Sequence, residues 1–279
     1  MKEFLFKTIK KKLLFWFLGI ALVPLSILII YTYFQQVNAR TNRTIEKVTA
    51  IRNLKAAELD KFLMDIRGDI NMMSQDYEIR SLEEGLGVEL KGPKHIEQQI
   101  AVENLLERSL LNYNRYEEIF VVNAQTGLVE ISTNRRSVGR DESHNLCFTT
   151  PLATKEPYLE EIHLSPITKK PEMTFSAPII CLSHNKHVTG ILVASIDLPN
   201  TVYKLMLNKV GLGETGESLI INKNGFALNE LRWYKNAPLK LKIKALPAVL
   251  AVQGNTGIIE TADYRGVEVL AAYTKISKI

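Results

Sequence analysis

The stretch Leu13–Phe34, LLFWFLGIALVPLSILIIYTYF, decides how the rest of this chain is read, because no charged residue interrupts it. At about 1.5 Å of rise per helical residue it spans roughly 30 Å, the thickness of a bilayer's hydrocarbon core. A transmembrane helix is therefore expected over 13–34. Lys2, Lys7, Lys10, Lys11 and Lys12 precede it against Glu3 alone, and basic residues before a first span favour a cytoplasmic N-terminus. Trp16 near one end and Tyr31 and Tyr33 near the other suit the two membrane interfaces. Pro24 sits mid-span, where a water-exposed helix would break; in lipid no water competes for the freed carbonyl, and the kink is tolerated. The rival reading is a cleaved signal peptide, for which Val37-Asn38-Ala39 supplies small residues at a cleavage position. The apolar run exceeds the roughly 7 to 15 residues of a signal core, and helix-forming sequence continues beyond it without a break, so a retained anchor is preferred. The expectation is a single-pass protein of the cell inner (plasma) membrane, with everything after the span periplasmic or extracellular.

The chain's 279 residues suffice for about two domains with a proper core. Its formal charge of +5 comes almost entirely from the first twelve residues. Beyond residue 12 the chain is nearly neutral, which argues against a nucleic-acid partner. Cys147 and Cys181 fall in the part facing an oxidising compartment, where a disulfide is permitted; two separate thiols fit the sequence equally well.

From residue 35 to about 81 the apolar residues Val48, Ile51, Leu59, Phe62, Ile66, Ile70 and Met73 recur at helical steps without proline. This predicts one long amphipathic stalk helix, continuous with the span. Gly85, Gly87, Gly92 and Pro93 mark a loop, and a second helix is predicted from Ile96 to Asn114. Glu118–Val122 and Leu128–Thr133 read as strands around an Asn123–Gly127 turn. A short helix near Asn145–Ala153 precedes strands at Tyr158–Leu164, Glu172–Ile180 and His187–Ile196. A linking helix over Leu198–Leu207 leads to a second set of extended stretches at Ser218–Asn222, Gly225–Asn229, Gly257–Tyr264 and Val267–Lys275. Helices to one side of antiparallel sheets make the fold class α+β.

This order of parts resembles the double Cache (PAS-like) extracytoplasmic sensory region of bacterial sensor histidine kinases and related transmembrane receptors. The residues that carry the likeness are Ile119–Asn123 with Gly127, Pro171–Ile179 with Gly190–Leu198, and, further on, Gly211–Glu217 and Asp263–Ala272. The resemblance implies a cytoplasmic tail at 1–12, the span at 13–34, the stalk at 35–81, a membrane-distal module at 82–197 and a truncated membrane-proximal module at 198–279. It implies two tandem modules with antiparallel sheets, a homodimer, a small-molecule ligand, no cofactor, and a parent protein that is a histidine kinase. The wording of the second module favours the kinase over a chemoreceptor or a diguanylate cyclase.

The resemblance also implies a ligand pocket in the distal module lined by Phe148, Tyr158, Glu161, Thr174 and Asp197. Tyr158 and Phe148 would enclose a ligand or face a cation, and Asp197 at a strand end would fix an amine or hydroxyl. Against this stands an ordinary reading of aromatics as core and Asp197 as a helix cap. The amino-acid-sensing branch carries an Arg-x-Trp-Tyr group where this chain has Asn145-Leu146-Cys147-Phe148. The guanidinium fork that would grip a carboxylate is missing there, so an α-amino acid is not the favoured ligand. Cys181-x-x-His184-x-x-His187 has metal-capable side chains but no fourth ligand, and a solvated turn is preferred. The Gly211–Gly216 stretch lacks the Gly-Lys-Ser/Thr ending of a phosphate cradle, and no catalytic motif occurs. The expected function is small-molecule sensing across the membrane. The alternative is an anchored binding protein with no output domain of its own.

Overall fold

The computed structural model describes residues 9–81, 93–182 and 187–276, with the backbone alone for Lys11, Lys12 and residues 93–95. The lysines ahead of residue 9, the glycine-rich loop 82–92 and His184 lie outside the described residues. The chain divides into two compact units, Met1–Ala50 and Ile51–Ile279.

Helix α1 runs unbroken from Ile9 to Ser74 and contains Pro24. From Leu13 it carries an 18-residue window of mean hydropathy 2.7, none of it buried in the protein. The few polar side chains there bond back to their own helix: Ser26 to the Leu22 carbonyl, and Thr32 to the carbonyls of Leu28 at 2.9 Å and Ile29 at 3.0 Å. Such back-bonding satisfies a hydroxyl where surroundings offer no partner.

Within the second unit α1 becomes one-sided. Leu59, Leu63, Ile66, Ile70 and Met73 are buried, and their three- and four-residue steps place them in one stripe. After Ser74 the chain turns, and the Asp76 carboxylate accepts the Glu78 N–H at 2.8 Å to start the single turn α2 (Tyr77–Arg80). Helix α3 comes next, over Pro93–Tyr113.

The α1 stripe packs on a five-stranded antiparallel sheet of β1 (Tyr116–Asn123), β2 (Val129–Ser132), β3 (Tyr158–Leu164), β4 (Pro171–Ile180) and β5 (Val188–Ile196). The order across the sheet is β2-β1-β5-β4-β3, with every pairing antiparallel. At the β1–β2 turn the Asn123 side chain accepts the N–H groups of Gln125 at 2.7 Å and Thr126 at 3.0 Å. Gly127 has φ +70° there, and a Cβ on it would come within 2.6 Å of Ser143 Cβ, so both backbone angle and space require glycine.

Strand alternation splits the sheet into two faces. Ile119, Val121, Met173, Phe175, Ala177, Ile179, Leu192 and Ala194 join α1 in the main core. Phe120, Val122, Ile191 and Val193 face the other way and meet Cys147 and Phe148 of helix α4 (Leu146–Thr154). The mixed helix and antiparallel-sheet class expected from the pattern is what the structure has.

Beyond β5 a π-helical turn, Pro199–Tyr203, runs into α5 (Lys204–Leu207). Helix α6 (Leu246–Val252) and the hairpin β6 (Gly257–Ala262)–β7 (Glu268–Tyr273) complete the order, beside a small core of Ala227, Leu231, Ala237, Ile243 and Ala248. The stretches expected as strands at 218–222 and 225–229 form no ladder beyond an isolated Ile221–Ala227 bridge. Side chains stand in for a ladder. Buried Asn229 accepts the Ile220 N–H at 2.6 Å and donates to the carbonyls of Ser218 and Glu230, while Asn222 accepts the N–H groups of Asn224 and Phe226. Asparagine offers the backbone such alternatives to regular pairing.

Candidate functional site

The face of the sheet under α4 is apolar at one end and polar at the other. In register, Phe120, Val193, Ser176 and Tyr158 lie side by side across β1, β5, β4 and β3. The neighbouring row on the same face is Glu118, Ser195, Thr174 and Glu160. With strands about 4.8 Å apart, that polar row is roughly 14 Å wide.

The row is bonded along its length. The Ser132 hydroxyl donates to Glu118 at 2.6 Å, the Ser195 hydroxyl to Glu172 at 2.7 Å, and the Thr174 hydroxyl to Glu160 at 3.3 Å. Glu160 also accepts the Cys147 N–H in the first turn of α4 and lies 3.6 Å from His163. Burial pushes the Glu160 carboxyl above its ordinary range and Glu172 adds to this, against the pull of His163, Thr174 and the Cys147 N–H. The Cys147 thiol is pushed up by burial first, then by Glu142, Glu160 and Glu172. Tyr158 is pushed up by burial, then by Glu160.

Among the described residues, one guanidinium opposes these carboxylates on the covered face. Arg140 reaches in from the loop between β2 and α4 and stacks 4.7 Å from the Phe120 ring centroid. It donates to Glu142 at 2.5 Å, to Ser137 at 2.9 Å and to Glu118 at 3.5 Å. Glu142, only 3% exposed, also accepts from the Asn145 amide and from the Cys147 thiol. Arg140 is thus held by Glu118 and Glu142, while Glu160 and Glu172 are left with hydroxyls, an N–H and an exposed-side histidine.

The five residues expected at the site fall into three groups. Phe148 is buried in the α4 contact, and Tyr158 and Thr174 lie on the face it covers, so the structure brings these three together. Asp197 is half-buried just past the end of β5, and its charge, with that of Glu172, raises the neighbouring Glu117 carboxyl that partial burial has already pushed up. Its carboxylate accepts the Asn200 N–H at 3.2 Å and the Asn200 amide at 2.7 Å, the geometry of a cap. Glu161 stands exposed at the irregularity between Glu160 and His163. Glu118, Glu160, Glu172, Ser195 and Arg140 were not anticipated. The first four were signalled by polar residues at two-residue steps in otherwise apolar strands. Arg140 carried no such signal, since its place depends on how a loop folds back.

Cys147 and Cys181 are both buried thiols. Among the described residues no group of three metal-capable side chains converges. A separate cleft of about 460 Å³ lies between the end of α1, α2 and the loop before β3, lined by Asn71, Ser74, Arg80, Lys155, Pro178 and Ile180 among others. Arg80 is committed there to backbone carbonyls, those of Ile180 at 2.7 Å and Cys181 at 3.2 Å. The polar row does not line it.

The Cache domain model of the dCache_1 family matches residues 29–279. Among solved structures, the ligand-binding domain of the Campylobacter jejuni chemoreceptor Tlp3 in complex with 4-methylisoleucine is 10% identical with a TM-score of 0.60, the match covering 83% of this chain and 86% of that one. The ligand-binding domain of the Pseudomonas aeruginosa PAO1 amino acid chemoreceptor PctC in complex with GABA is 14% identical with a TM-score of 0.54, over 79% and 88%. The sensor domain of the Vibrio cholerae histidine kinase DctB is 13% identical with a TM-score of 0.50, over 70% and 67%. At these identities the likeness is one of fold. No curated protein matches the sequence significantly.

Proposed function

The chain belongs to the Cache domain family, and from that membership we propose that it is the extracytoplasmic input region of a transmembrane receptor that senses a small, amine-bearing molecule. The ligand lies between α4 and the polar row of the five-stranded sheet. The observation that carries this reading is the charge balance of that covered face: among the described residues Glu118, Glu142, Glu160 and Glu172 face one guanidinium, Arg140, which already serves Glu118 and Glu142. A cation at Glu160 and Glu172 gains charge-assisted hydrogen bonds, and at Glu160 it offsets the burial that has made that carboxyl costly to ionise. An anion meets net repulsion. The amine-bearing ligands of the Campylobacter and Pseudomonas neighbours are compatible with this preference.

In this reading residues 13–34 span the membrane, 35–81 form the stalk, 82–197 the membrane-distal module and 198–279 the membrane-proximal one. Phe148, Tyr158 and Thr174 line the distal site, with Asp197 and Glu161 at its rim. Receptor pairs meet through α1, where Leu54 and Met64 are exposed. The output is a histidine kinase in preference to a chemoreceptor or cyclase.

The test is a thermal-shift series on the whole chain in lipid nanodiscs, using putrescine, GABA, choline, succinate and adenosine as probes. At least one cation-bearing probe raises Tm, and succinate does not. A shift by succinate alone would overturn the assignment of charge.

A further inference from the structure

The segment that leaves the site is built in an unusual way. Asp197 opens it: its carbonyl accepts the Thr201 N–H at 3.0 Å and the Thr201 hydroxyl, and its carboxylate holds Asn200. Tyr203 N–H then reaches back five residues to the Leu198 carbonyl at 2.9 Å, the bond of a π-turn, which carries one residue more than an α-turn. Val202 and Tyr203 are buried in the same core as Leu59 and Leu63 of α1.

At the other end of the segment, the Leu205 carbonyl accepts the Lys55 ammonium of α1 at 2.7 Å. Burial draws the Lys55 pKa down, against Glu58, so this ammonium has lost water and the carbonyl replaces part of it. Three residues earlier on α1, Arg52 donates to the carbonyls of Gly257 at 3.0 Å and Tyr273 at 3.4 Å, the register pair that closes the open end of the β6–β7 hairpin. One face of α1 is therefore pinned to the connector and to the strand leading out of the fold.

Among the described residues the Tyr203 hydroxyl in this turn is buried without a hydrogen-bond partner, which is a cost to the turn as it stands. Withdrawing the extra residue turns everything after it by about 100° and advances it about 1.5 Å, which takes the Leu205 carbonyl away from Lys55.

Resting on the sensor reading above, we infer that the connector Pro199–Leu207 is the switch that links the ligand site to α1: the turn headed by Asp197 fixes where the Leu205 carbonyl stands, and hence whether Lys55 is held. A ligand whose cation sits at Glu160 and Glu172 and whose far end reaches Asp197 at the rim competes with Asn200 for that carboxylate and lets the turn change. Lys55 is a positioning residue here, and touches no ligand.

Asp197 bonds Asn200 and Thr201 while Lys55 bonds the Leu205 carbonyl, so the two substitutions remove no hydrogen bond in common. The test is hydrogen exchange of the α1 amides at 52–59, in the whole chain in nanodiscs, for Asp197→Asn, Lys55→Met and the pair. Each single change speeds exchange there about tenfold, and the pair adds less than about twofold, because both act on one element. Multiplication of the two effects, or no effect of Asp197→Asn at 52–59, would overturn the switch. Asn200→Ala, which loosens the same cap from its other side, repeats the cycle should Asp197→Asn fold poorly. No ligand is needed, so coupling without any probe binding would sink the sensor reading alone, and probe binding without coupling would sink the switch alone.

Discussion

Replacing Phe148 by alanine removes the side chain that fastens α4 to the sheet. Phe148 is 4% exposed and packs with Phe120, Val122, Ile191 and Val193. A buried aromatic side chain covers about 150 to 250 Å², worth roughly 4 to 6 kcal/mol at about 25 cal/mol per Å². Truncations of buried phenylalanine cost about 3 to 5 kcal/mol in practice, so about 4 kcal/mol is expected here. Because α4 is a nine-residue helix without a side-chain cap at Asn145, much of that loss appears as local opening. Four kcal/mol corresponds to about a thousandfold in the opening equilibrium. Native-state hydrogen exchange of the whole chain reads this directly, through the amides of α4 and β5. Phe148→Leu keeps most of the contact and most of the protection. A change of less than about tenfold in α4 for Phe148→Ala would refute the packing argument, since it corresponds to only about 1.4 kcal/mol.

The raised Glu160 carboxyl makes the folded state bind a proton more tightly than the unfolded state does. Its stabilising contribution is complete below the ordinary value of 4.5 and is lost as pH rises through the higher folded value, so the wild type gains Tm from pH 7 down to pH 5 relative to Glu160→Gln; parallel Tm profiles would contradict this. Arg140→Met strips the cation from Glu118 and Glu142, 9% and 3% exposed, and costs about 3 kcal/mol in denaturant unfolding, partly recovered by adding Glu142→Gln. Full stability in the single variant would show that the guanidinium compensates nothing. Tyr116→Phe deletes the 3.2 Å hydroxyl bond to Asp69 of α1, which keeps Arg115 at 3.3 Å. It costs about 1 kcal/mol of exchange protection around Asp69, and a loss confined to β1 would count against that tie.

Much of the fold could be read from the sequence because its signals were local. The 13–34 run, the helical spacing of Leu59, Phe62, Ile66, Ile70 and Met73, and the Asn123–Gly127 turn each specify an element without help from the rest. The strands read at 172–180 and 187–196 were equally plain, since buried apolar residues dominate them. The extended stretches at 218–222 and 225–229 were misjudged because their pattern reads as strands ending in Asn222 and Asn229, whereas the side chains of those two residues replace the ladder itself. The π-turn could not be foreseen, because nothing in Pro199–Tyr203 distinguishes it from an α-turn until Val202 and Tyr203 find their places in the core.

The candidate site was legible only in part, and for the same reason. Tyr158, Thr174 and Phe148 lie on elements whose alternation or helical face is set locally. Glu160 is two residues from Tyr158, and Glu172 two from Thr174, so period two alone would have placed them with their neighbours. Arg140 belongs to a loop, and its stacking on Phe120 is a tertiary event. The sequence therefore indicated a site without a guanidinium at α4, while the folded chain supplies one from elsewhere, already engaged by two carboxylates.

The footprint of a bound probe tests the account most directly. Whichever cation-bearing probe raises Tm is added at saturation, and hydrogen exchange is compared with and without it for the wild type and for the Glu160→Gln/Glu172→Gln variant. Slowed exchange across Leu146–Thr154 and Tyr158–Glu160 in the wild type, lost in the variant together with at least about tenfold in affinity, is the result the account predicts. Protection confined to the Arg80–Lys155 cleft or to the segments after Leu207, or unchanged affinity in the variant, would contradict it.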